Sequence, residues 1–283
     1  MTNKHTNVER ESNKYASMYE SFNEKGFQTF KIFDQNELKE FALVFECLLD
    51  LQMRKLGLKT SKDIYRNVSI LHKRSSLALT EVLSMARNTS IGHKLASNEK
   101  IQSLSNILFN NSLDEKNKLI VSGPSFFVNI PDNVERKYTW HSEQNWYPKR
   151  RKFLNIWCPV FNDRINDDSM AVMLGSHKKD WFYFSEYTGY EGKIDETANV
   201  QYEIPSTFLK EYKSYTPSVK VGEGLFFNGR LVHRSLDNIS KKPQFTIVFR
   251  VFDYSQDLTL SSNWADIPYN RKSIGIPEIN VNP

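Results

Sequence analysis

The chain has 283 residues, of which 39% are hydrophobic and 13% aromatic. This composition supplies a substantial core and excludes wholesale disorder. The 38 basic and 33 acidic residues give a net charge of +5, spread along the chain rather than gathered in a tail or a helix stripe. Nothing in that charge pattern demands nucleic acid as a partner.

The sequence also bears on compartment. No apolar run is long enough to span a bilayer, and the polar N-terminus lacks the apolar segment of a signal peptide. Cys47 and Cys158 each lie inside an apolar run, which predicts buried thiols in a reducing compartment rather than a disulfide framework. We therefore expect a cytoplasmic protein with no membrane partner.

The domain organisation follows from how the residue patterns change along the chain. Residues 1–14 are polar and mixed in charge, and we expect a disordered tail there. No low-complexity linker or internal repeat divides the remainder, so residues 15–283 are predicted to form a single domain. Within it, a helical front over residues 15–118 precedes a β-rich core over residues 119–260.

The helical front contains one early strand and several amphipathic helices. Residues 26–33 alternate as a strand does, and Asp34 followed by Glu37 predicts a capping box at the start of a helix. Residues 70–110 are mostly helical in pattern. A stripe at helical spacing after the capping box is assigned to core packing: Leu38, Phe41, Val44 or Phe45, Leu48 and Leu49.

From residue 119 onward the pattern changes to short strands punctuated by Gly, Pro, Asn and Asp. Such spacing predicts a sandwich or barrel rather than alternating β-α units. The predicted fold class is therefore mainly β with flanking helices, a jelly-roll core buttressed by the N-terminal helices. The predicted strands are 119–122, 125–130, 138–144, 153–160, 170–174, a pair within 219–233, and 245–252.

A candidate metal site lies in this β region. Residues two apart in a strand point to the same side, so His141 and Glu143 in the predicted strand 138–144 can bind one ion together. A distant histidine on a neighbouring strand, His233, would complete two imidazoles and one carboxylate on one face of the metal. That arrangement is associated with non-heme Fe(II) oxygenases.

At these residues the chain resembles the phytanoyl-CoA dioxygenase-like family of Fe(II)/2-oxoglutarate-dependent oxygenases. Trp-His-Ser-Glu at 140–143 resembles the family's metal-binding segment, and residues 221–235 resemble its distal-histidine segment. Met-Leu-Gly-Ser-His at 173–177 resembles its Pro-Gly-Ser-His turn, with Leu174 where proline is usual. Further similar segments, in the family's order, are 23–27, 37–41, 156–157 and 238–240.

The resemblance implies a double-stranded β-helix that holds one Fe(II) through His141, Glu143 and His233. Members of the family use 2-oxoglutarate and O2 as cosubstrates, release succinate and CO2, and hydroxylate an unactivated C–H bond. Related halogenases lack the carboxylate ligand, so Glu143 favours hydroxylation over halogenation, with desaturation or ring closure left open. His177 is a rival third ligand, although the family's Gly-Ser-His turn is mostly a structural corner.

The cosubstrate site departs from the family pattern. The arginine that usually follows the distal histidine by eleven residues, and pairs with the far carboxylate of 2-oxoglutarate, is replaced here by Gln244. A neutral amide can hydrogen-bond a carboxylate but cannot neutralise its charge. Arg250 lies on the same face of an unbroken strand and is predicted to be the anchor, with a structural salt bridge as its alternative. Ser235, on the same face as His233, is a candidate to bind that carboxylate.

Substrate contacts are less specific. Trp146 is predicted to line the pocket and Asn155 to face the cavity, although aromatic residues at a barrel mouth also serve packing. Arg150 and Arg151 belong to a basic run that is either a solvated loop or a landing site for an anionic or carrier-linked small molecule. Residues 180–216 are predicted to form a lid or pocket wall that determines specificity.

Two other functions compete with this one. The chain could be a jelly-roll protein that binds metal or ligand without catalysis, with Gln244 as the trace of that loss. A nucleic-acid demethylase of the same superfamily is disfavoured by the scattered basic charge and by the order of the motifs.

Overall fold

The computed structural model describes residues 2–111, 119–131, 138–147, 152–162, 170–181, 186–188 and 201–253. Helices dominate its first part and antiparallel strands the remainder, in the predicted order. The helices are α1 (Thr2–Lys25), α2 (Gln35–Lys55), α3 (Ile64–Arg74), α4 (Ser76–Arg87), α5 (Ser90–Ala96) and α6 (Glu99–Leu108).

Helix α2 begins where the sequence predicts. The Asp34 carboxylate accepts hydrogen bonds from the backbone N–H groups of Asn36 and Glu37, and the Glu37 carboxylate accepts one from the Asp34 N–H. This capping box satisfies N–H groups that have no partner inside the helix. Most of the predicted core stripe is confirmed, because Leu38, Phe41, Phe45 and Leu49 of α2 are buried. Leu48 is only partly buried, and Met53, which was not predicted, is buried as well.

Two expectations for the helical front are wrong. Residues 2–14 belong to helix α1 rather than to a disordered tail, and the stretch contains no proline or glycine to interrupt a helix. Cys47 is exposed, whereas Cys158 is buried as predicted. Cys47 lies two residues from Phe45 and Leu49, which face the core, so it points away from them on a 3.6-residue helical period.

The strands form two main sheets. The larger has the order β1-β8-β3-β10-β2 with every pair antiparallel, and the smaller has the order β7-β4-β9. A separate hairpin joins β5 to β6. The strands are β1 (Phe27–Lys31), β2 (Leu119–Asn129), β3 (Phe153–Pro159), β4 (Met170–Met173), β5 (Glu186–Thr188), β6 (Gln201–Glu203), β7 (Ser214–Tyr215), β8 (Glu223–Asn228), β9 (His233–Ser235) and β10 (Gln244–Asp253).

The two strands predicted over 119–130 are one strand, β2, with a bulge. Val248 pairs with Ser125 and Arg250 with Ser122, so two residues of β2 lie opposite Phe249 of β10. The bulge falls on Gly-Pro at 123–124, because proline has no N–H to donate to the ladder. It brings both serines beside Arg250.

Side chains alternate across the large sheet and thereby divide the interior in two. One face of β10 packs into the main core with helix residues, and the rings of Phe245 and Phe45 lie 5.5 Å apart. The opposite face faces the smaller sheet, where Leu225 and Phe227 of β8 pack against Met170 and Val172 of β4. The predicted fold class is confirmed: a mainly antiparallel jelly roll buttressed by helices on its outer face.

None of the described helices is both long and apolar enough to cross a lipid bilayer.

Candidate metal centre

His141, Glu143 and His233 meet at the edge of the smaller sheet that β9 forms. His141 and His233 pair as directly opposite residues, each backbone N–H donating to the other's carbonyl over 2.9 Å. Directly opposite residues project to the same face, and the two imidazole centroids lie 4.2 Å apart. Glu143 Oε1 lies 4.0 Å from His141 Nε2 and 3.9 Å from His233 Nε2. One ion can therefore contact all three side chains, whose ligand atoms lie within 4.8 Å of one another.

Both imidazoles are turned so that Nε2 is the ligand atom. His141 Nδ1 lies 2.7 Å from the Thr139 carbonyl oxygen, and His233 Nδ1 lies 2.9 Å from that of Leu231. A carbonyl only accepts, so each Nδ1 carries the proton and each Nε2 presents a lone pair. Such outer hydrogen bonds fix the tautomer and orientation of metal-binding histidines.

The protonation states also suit a metal. Burial lowers the pKa of His141, and burial together with the neighbouring His141 lowers that of His233 to about 3. Burial opposes ionisation of Glu143, but the charge and hydrogen bond of Arg250 together with the two nearby histidines outweigh it, so the pKa of Glu143 is lowered. The group therefore consists of two neutral imidazoles and one carboxylate, the forms that bind metal. This donor set fits a borderline divalent ion such as Fe(II).

The predicted strand over 138–144 is wrong, although the two ligands within it still converge. Beyond His141 the chain leaves the sheet, and Glu143–Asn145 form a short 3-10 helix. The Ser142 hydroxyl accepts from the Gln144 N–H at the start of this turn and donates to the Gly229 carbonyl oxygen. Those two bonds turn the backbone and fix Glu143 beside the histidines, a role that strand alternation does not predict.

Arg250 contacts the candidate metal ligand itself. Its Nε donates to Glu143 Oε2 over 3.1 Å, and its Nη1 donates to the Ser125 hydroxyl over 3.4 Å. The two charged side chains are largely buried, 19% exposed for Arg250 and 10% for Glu143. Burial acts to lower the pKa of Arg250, but the charge and hydrogen bond of Glu143, together with Tyr147 and Tyr138, outweigh it and raise the pKa. Arg250 is therefore a permanent, largely buried cation beside the triad.

Asn155 of β3 lies directly opposite Arg250 of β10 on one side and Phe227 of β8 on the other, so the three residues form one row across the large sheet. The side chain is fully buried, and neither its amide nitrogen nor its amide oxygen has a hydrogen-bond partner among the described residues. A buried amide without partners is costly, because it has lost its bonds to water. Asn155 therefore lies beside Arg250, and that it faces a cavity stays a prediction.

Ser235 and Gln244 lie apart from this row. Ser235 is on the strand of His233, pairs with Met170, and its N–H donates to the Tyr138 carbonyl oxygen. Gln244 is buried on the same face of β10 as Arg250 but at the other end of the strand, where it pairs with Asn129. At about 3.4 Å per residue, Gln244 is roughly 20 Å from Arg250 along β10. Gln244 and Arg250 therefore cannot bind the same carboxylate group.

Aromatic rings surround the imidazoles. Trp146, predicted as a pocket residue, packs edge-on against His141 with centroids 5.4 Å apart and against Tyr202 at the same distance. The Phe227 ring lies 4.7 Å from that of His233, and the Arg250 guanidinium lies 5.7 Å from the Tyr147 ring. No local pattern marks Tyr202 or Phe227, because only the folded chain places Tyr202 against Trp146 and Phe227 against His233.

The remaining candidates are separate from the triad. His177 is held elsewhere, its Nε2 3.0 Å from the Asn23 carbonyl oxygen, so it is a corner residue rather than a third ligand. In the basic run, Lys152 pairs with Asp253 over 3.2 Å and donates to Asn111 over 2.9 Å. Arg150 and Arg151 lie outside the described residues.

The jelly-roll fold and the three clustered ligands define the class of protein: a jelly roll with a candidate metal centre that holds the ion on one face. Several solved structures have a similar fold. The epimerase SnoN in complex with Fe3+, alpha ketoglutarate and nogalamycin RO has a TM-score of 0.55 at 12% identity, over 89% of this chain and 93% of that one. The non-heme monooxygenase ThoJ has a TM-score of 0.54 at 14% identity, over 83% and 76%. EvdO2 from Micromonospora carbonacea var. aurantiaca, complexed with 2-oxoglutarate, has a TM-score of 0.53 at 11% identity, over 83% and 89%.

At these identities the similarity shows the fold alone. No protein-family model matches the sequence, and neither does any curated protein sequence.

Proposed function

We propose that this chain is an Fe(II)- and 2-oxoglutarate-dependent oxygenase that acts on a small molecule. The observation that carries the proposal is the convergence of His141 Nε2, His233 Nε2 and Glu143 Oε1 on one point, in forms ready to bind metal. The shared fold adds support, since SnoN and EvdO2 have been solved with 2-oxoglutarate.

In this proposal the triad holds the iron on one face and leaves its other positions open. Bound iron would supply the chelation of the 2-oxo acid and the activation of O2. The rings of Trp146 and Phe227 against the two imidazoles restrict access of water from that side.

Cosubstrate recognition is assigned first to Arg250. It is a buried cation beside the triad, and a guanidinium is suited to a carboxylate. Asn155, next to it in the sheet, has an amide that can donate one hydrogen bond and accept another from a ligand. Ser235, on the strand of His233, remains a predicted cosubstrate contact of lower rank. Gln244 is an alternative to Arg250 rather than a second contact, because the two lie at opposite ends of β10.

The proposed reaction is hydroxylation of an unactivated C–H bond, with release of succinate and CO2. Glu143 supports this, because it fills the position that a halide would need. The fold alone does not choose the reaction, since SnoN is an epimerase and ThoJ a monooxygenase. An anionic or carrier-linked substrate, bound through Arg150 and Arg151 and enclosed by residues 180–216, remains a prediction.

Succinate release is the direct test. The protein is loaded anaerobically with Fe(II), then given 2-oxoglutarate, O2 and libraries of carboxylates, amino acids, sugars and thioesters. We expect slow succinate formation without substrate and much faster formation with a correct substrate class. Binding of 2-oxoglutarate to the iron-loaded protein is followed separately by calorimetry.

Two variants control this experiment. His141→Ala should abolish both metal binding and succinate release, whereas His93→Ala, at an exposed histidine of helix α5, should change neither. Failure of the iron-loaded wild type to bind 2-oxoglutarate would contradict the proposal. Binding of both without any succinate, across all libraries, would favour the non-catalytic binding protein instead.

A further inference from the structure

The Arg250–Glu143 pair is unusual because one of its members is also a candidate metal ligand. Arg250 Nε bonds to Oε2, while Oε1 of the same carboxylate faces the two Nε2 atoms at 3.9 and 4.0 Å. The carboxylate therefore lies between a cation that is already present and the point where a second cation would bind. The inference below rests on the proposed function and concerns how that second cation is accommodated.

The net charge of the site determines how readily it accepts a metal cation beside Arg250. Glu143 supplies the only carboxylate in the metal-ligating group found among the described residues. Each imidazole turns Nδ1 to a backbone carbonyl oxygen and leaves Nε2 with a lone pair, which is the arrangement of a neutral ligand. Glu143 and Arg250 therefore cancel, and the site without metal carries no net charge.

A divalent ion added to this site would leave two uncompensated positive charges in a buried environment. It would also approach within a few ångströms of the Arg250 guanidinium, which bonds to the same carboxylate. Like charges at such distances repel strongly where water is excluded. A dianion such as 2-oxoglutarate would cancel the excess and would offer the guanidinium another carboxylate.

We propose that Arg250 is a built-in counter-ion that competes with the metal for Glu143 and releases it when an anionic ligand binds the guanidinium. Metal and 2-oxo acid then bind cooperatively, beyond the direct contact between them, and Arg250 couples the two events. The site holds metal weakly without the cosubstrate and tightly with it. Couplings between ligands of this kind typically change affinity by about 5- to 150-fold.

Calorimetric titration with Ni2+, a redox-inert stand-in for Fe(II), tests this with and without 2-oxoglutarate. Arg250→Gln keeps hydrogen-bond donors near Glu143 but removes the charge. We expect this variant to bind Ni2+ on the order of tenfold more tightly than wild type when 2-oxoglutarate is absent. With 2-oxoglutarate present, the variant should bind Ni2+ no more tightly than the wild type, or less tightly, because the guanidinium that would bind the anion is missing.

Arg234→Gln is the matched control. It removes the same charge one residue from His233, but from an exposed side chain that lies over the Trp140 ring. It should leave both Ni2+ affinities unchanged. Arg250→Ala provides a second variant, and thermal unfolding verifies that each protein is folded.

The proposal would be overturned if, without 2-oxoglutarate, Arg250→Gln and Arg250→Ala bind Ni2+ no more tightly than the wild type. In that case Arg250 would be a residue that only orients Glu143. Succinate release by the wild type is measured separately. If the wild type is active but the variants bind Ni2+ no more tightly, the coupling role of Arg250 is wrong and the proposed function stands. A wild type that binds neither Ni2+ nor 2-oxoglutarate would overturn both proposals.

Discussion

At the scale of single residues, Asn155 has a buried side-chain amide that makes no hydrogen bond to any of the described residues. Its amide is fully buried beside Arg250, with no partner for either polar atom. A buried polar group of this kind costs roughly 1–3 kcal/mol relative to one that is hydrogen-bonded. Folded proteins retain such groups where a ligand supplies the missing bonds, as in active sites that trade stability for function.

Asn155→Leu tests this interpretation. Leucine has a similar size and no polar atoms, so we expect the ligand-free protein to gain about 1 kcal/mol in free energy of unfolding. Affinity of the metal-loaded protein for 2-oxoglutarate or substrate should fall on the order of tenfold, since one hydrogen bond to a charged group is lost. Denaturant unfolding and calorimetry measure the two quantities.

Asn106 of helix α6 offers a matched control. It is another fully buried asparagine whose amide atoms lack partners, but it packs on the helical side of the large sheet. Asn106→Leu should raise stability without changing ligand affinity. If both variants left affinity intact, Asn155 would have no role in binding.

At the scale of secondary-structure elements, local sequence was sufficient where one side chain determines an end of an element. The α2 capping box is such a case, because its bonds join residues at most three apart. The turn at Glu143 is the opposite case. Ser142 donates to Gly229, 87 residues away, and no local pattern contains that contact.

The capping box makes a prediction for helix α2, which carries the buried side chains Phe41, Phe45 and Leu49 against the sheet. Asp34→Ala should lower the free energy of unfolding by about 1 kcal/mol, because two backbone N–H groups lose their acceptor. Asp34→Asn should cost less, since asparagine is also a good N-cap residue. Urea unfolding checks both, and equal losses for the two variants would show that the cap hydrogen bonds are not the cause.

For the whole molecule, the two buried imidazoles link stability to pH. An unfolded histidine has a pKa of about 6.5, whereas the pKa of His233 in the fold is lowered to about 3 and that of His141 is also lowered. Between these values the unfolded chain binds more protons than the folded one. Stability is therefore fully present above about pH 6.5 and is lost as the pH falls below it.

We expect the metal-free protein to lose roughly 1 kcal/mol through His233 for each pH unit below about 6.5, and His141 adds to the loss in the same direction. Urea unfolding at pH 7.5 and pH 5.5 measures this loss. His233→Gln should show a smaller loss between the two conditions, whereas the exposed-site variant His93→Gln should behave as wild type. Indistinguishable losses in wild type and His233→Gln would contradict neutral burial of His233.

The sequence by itself determined the order of helices and strands, the α2 capping box, the buried stripe and the three candidate ligands. These follow from periodicity and from residue types whose chemistry is local. Tertiary structure alone decided that Arg250 pairs with Glu143 and that Asn155 has no hydrogen-bond partner among the described residues. The Arg250–Glu143 contact joins residues 107 positions apart. It depends on strand register and on the β2 bulge, which one sequence does not specify.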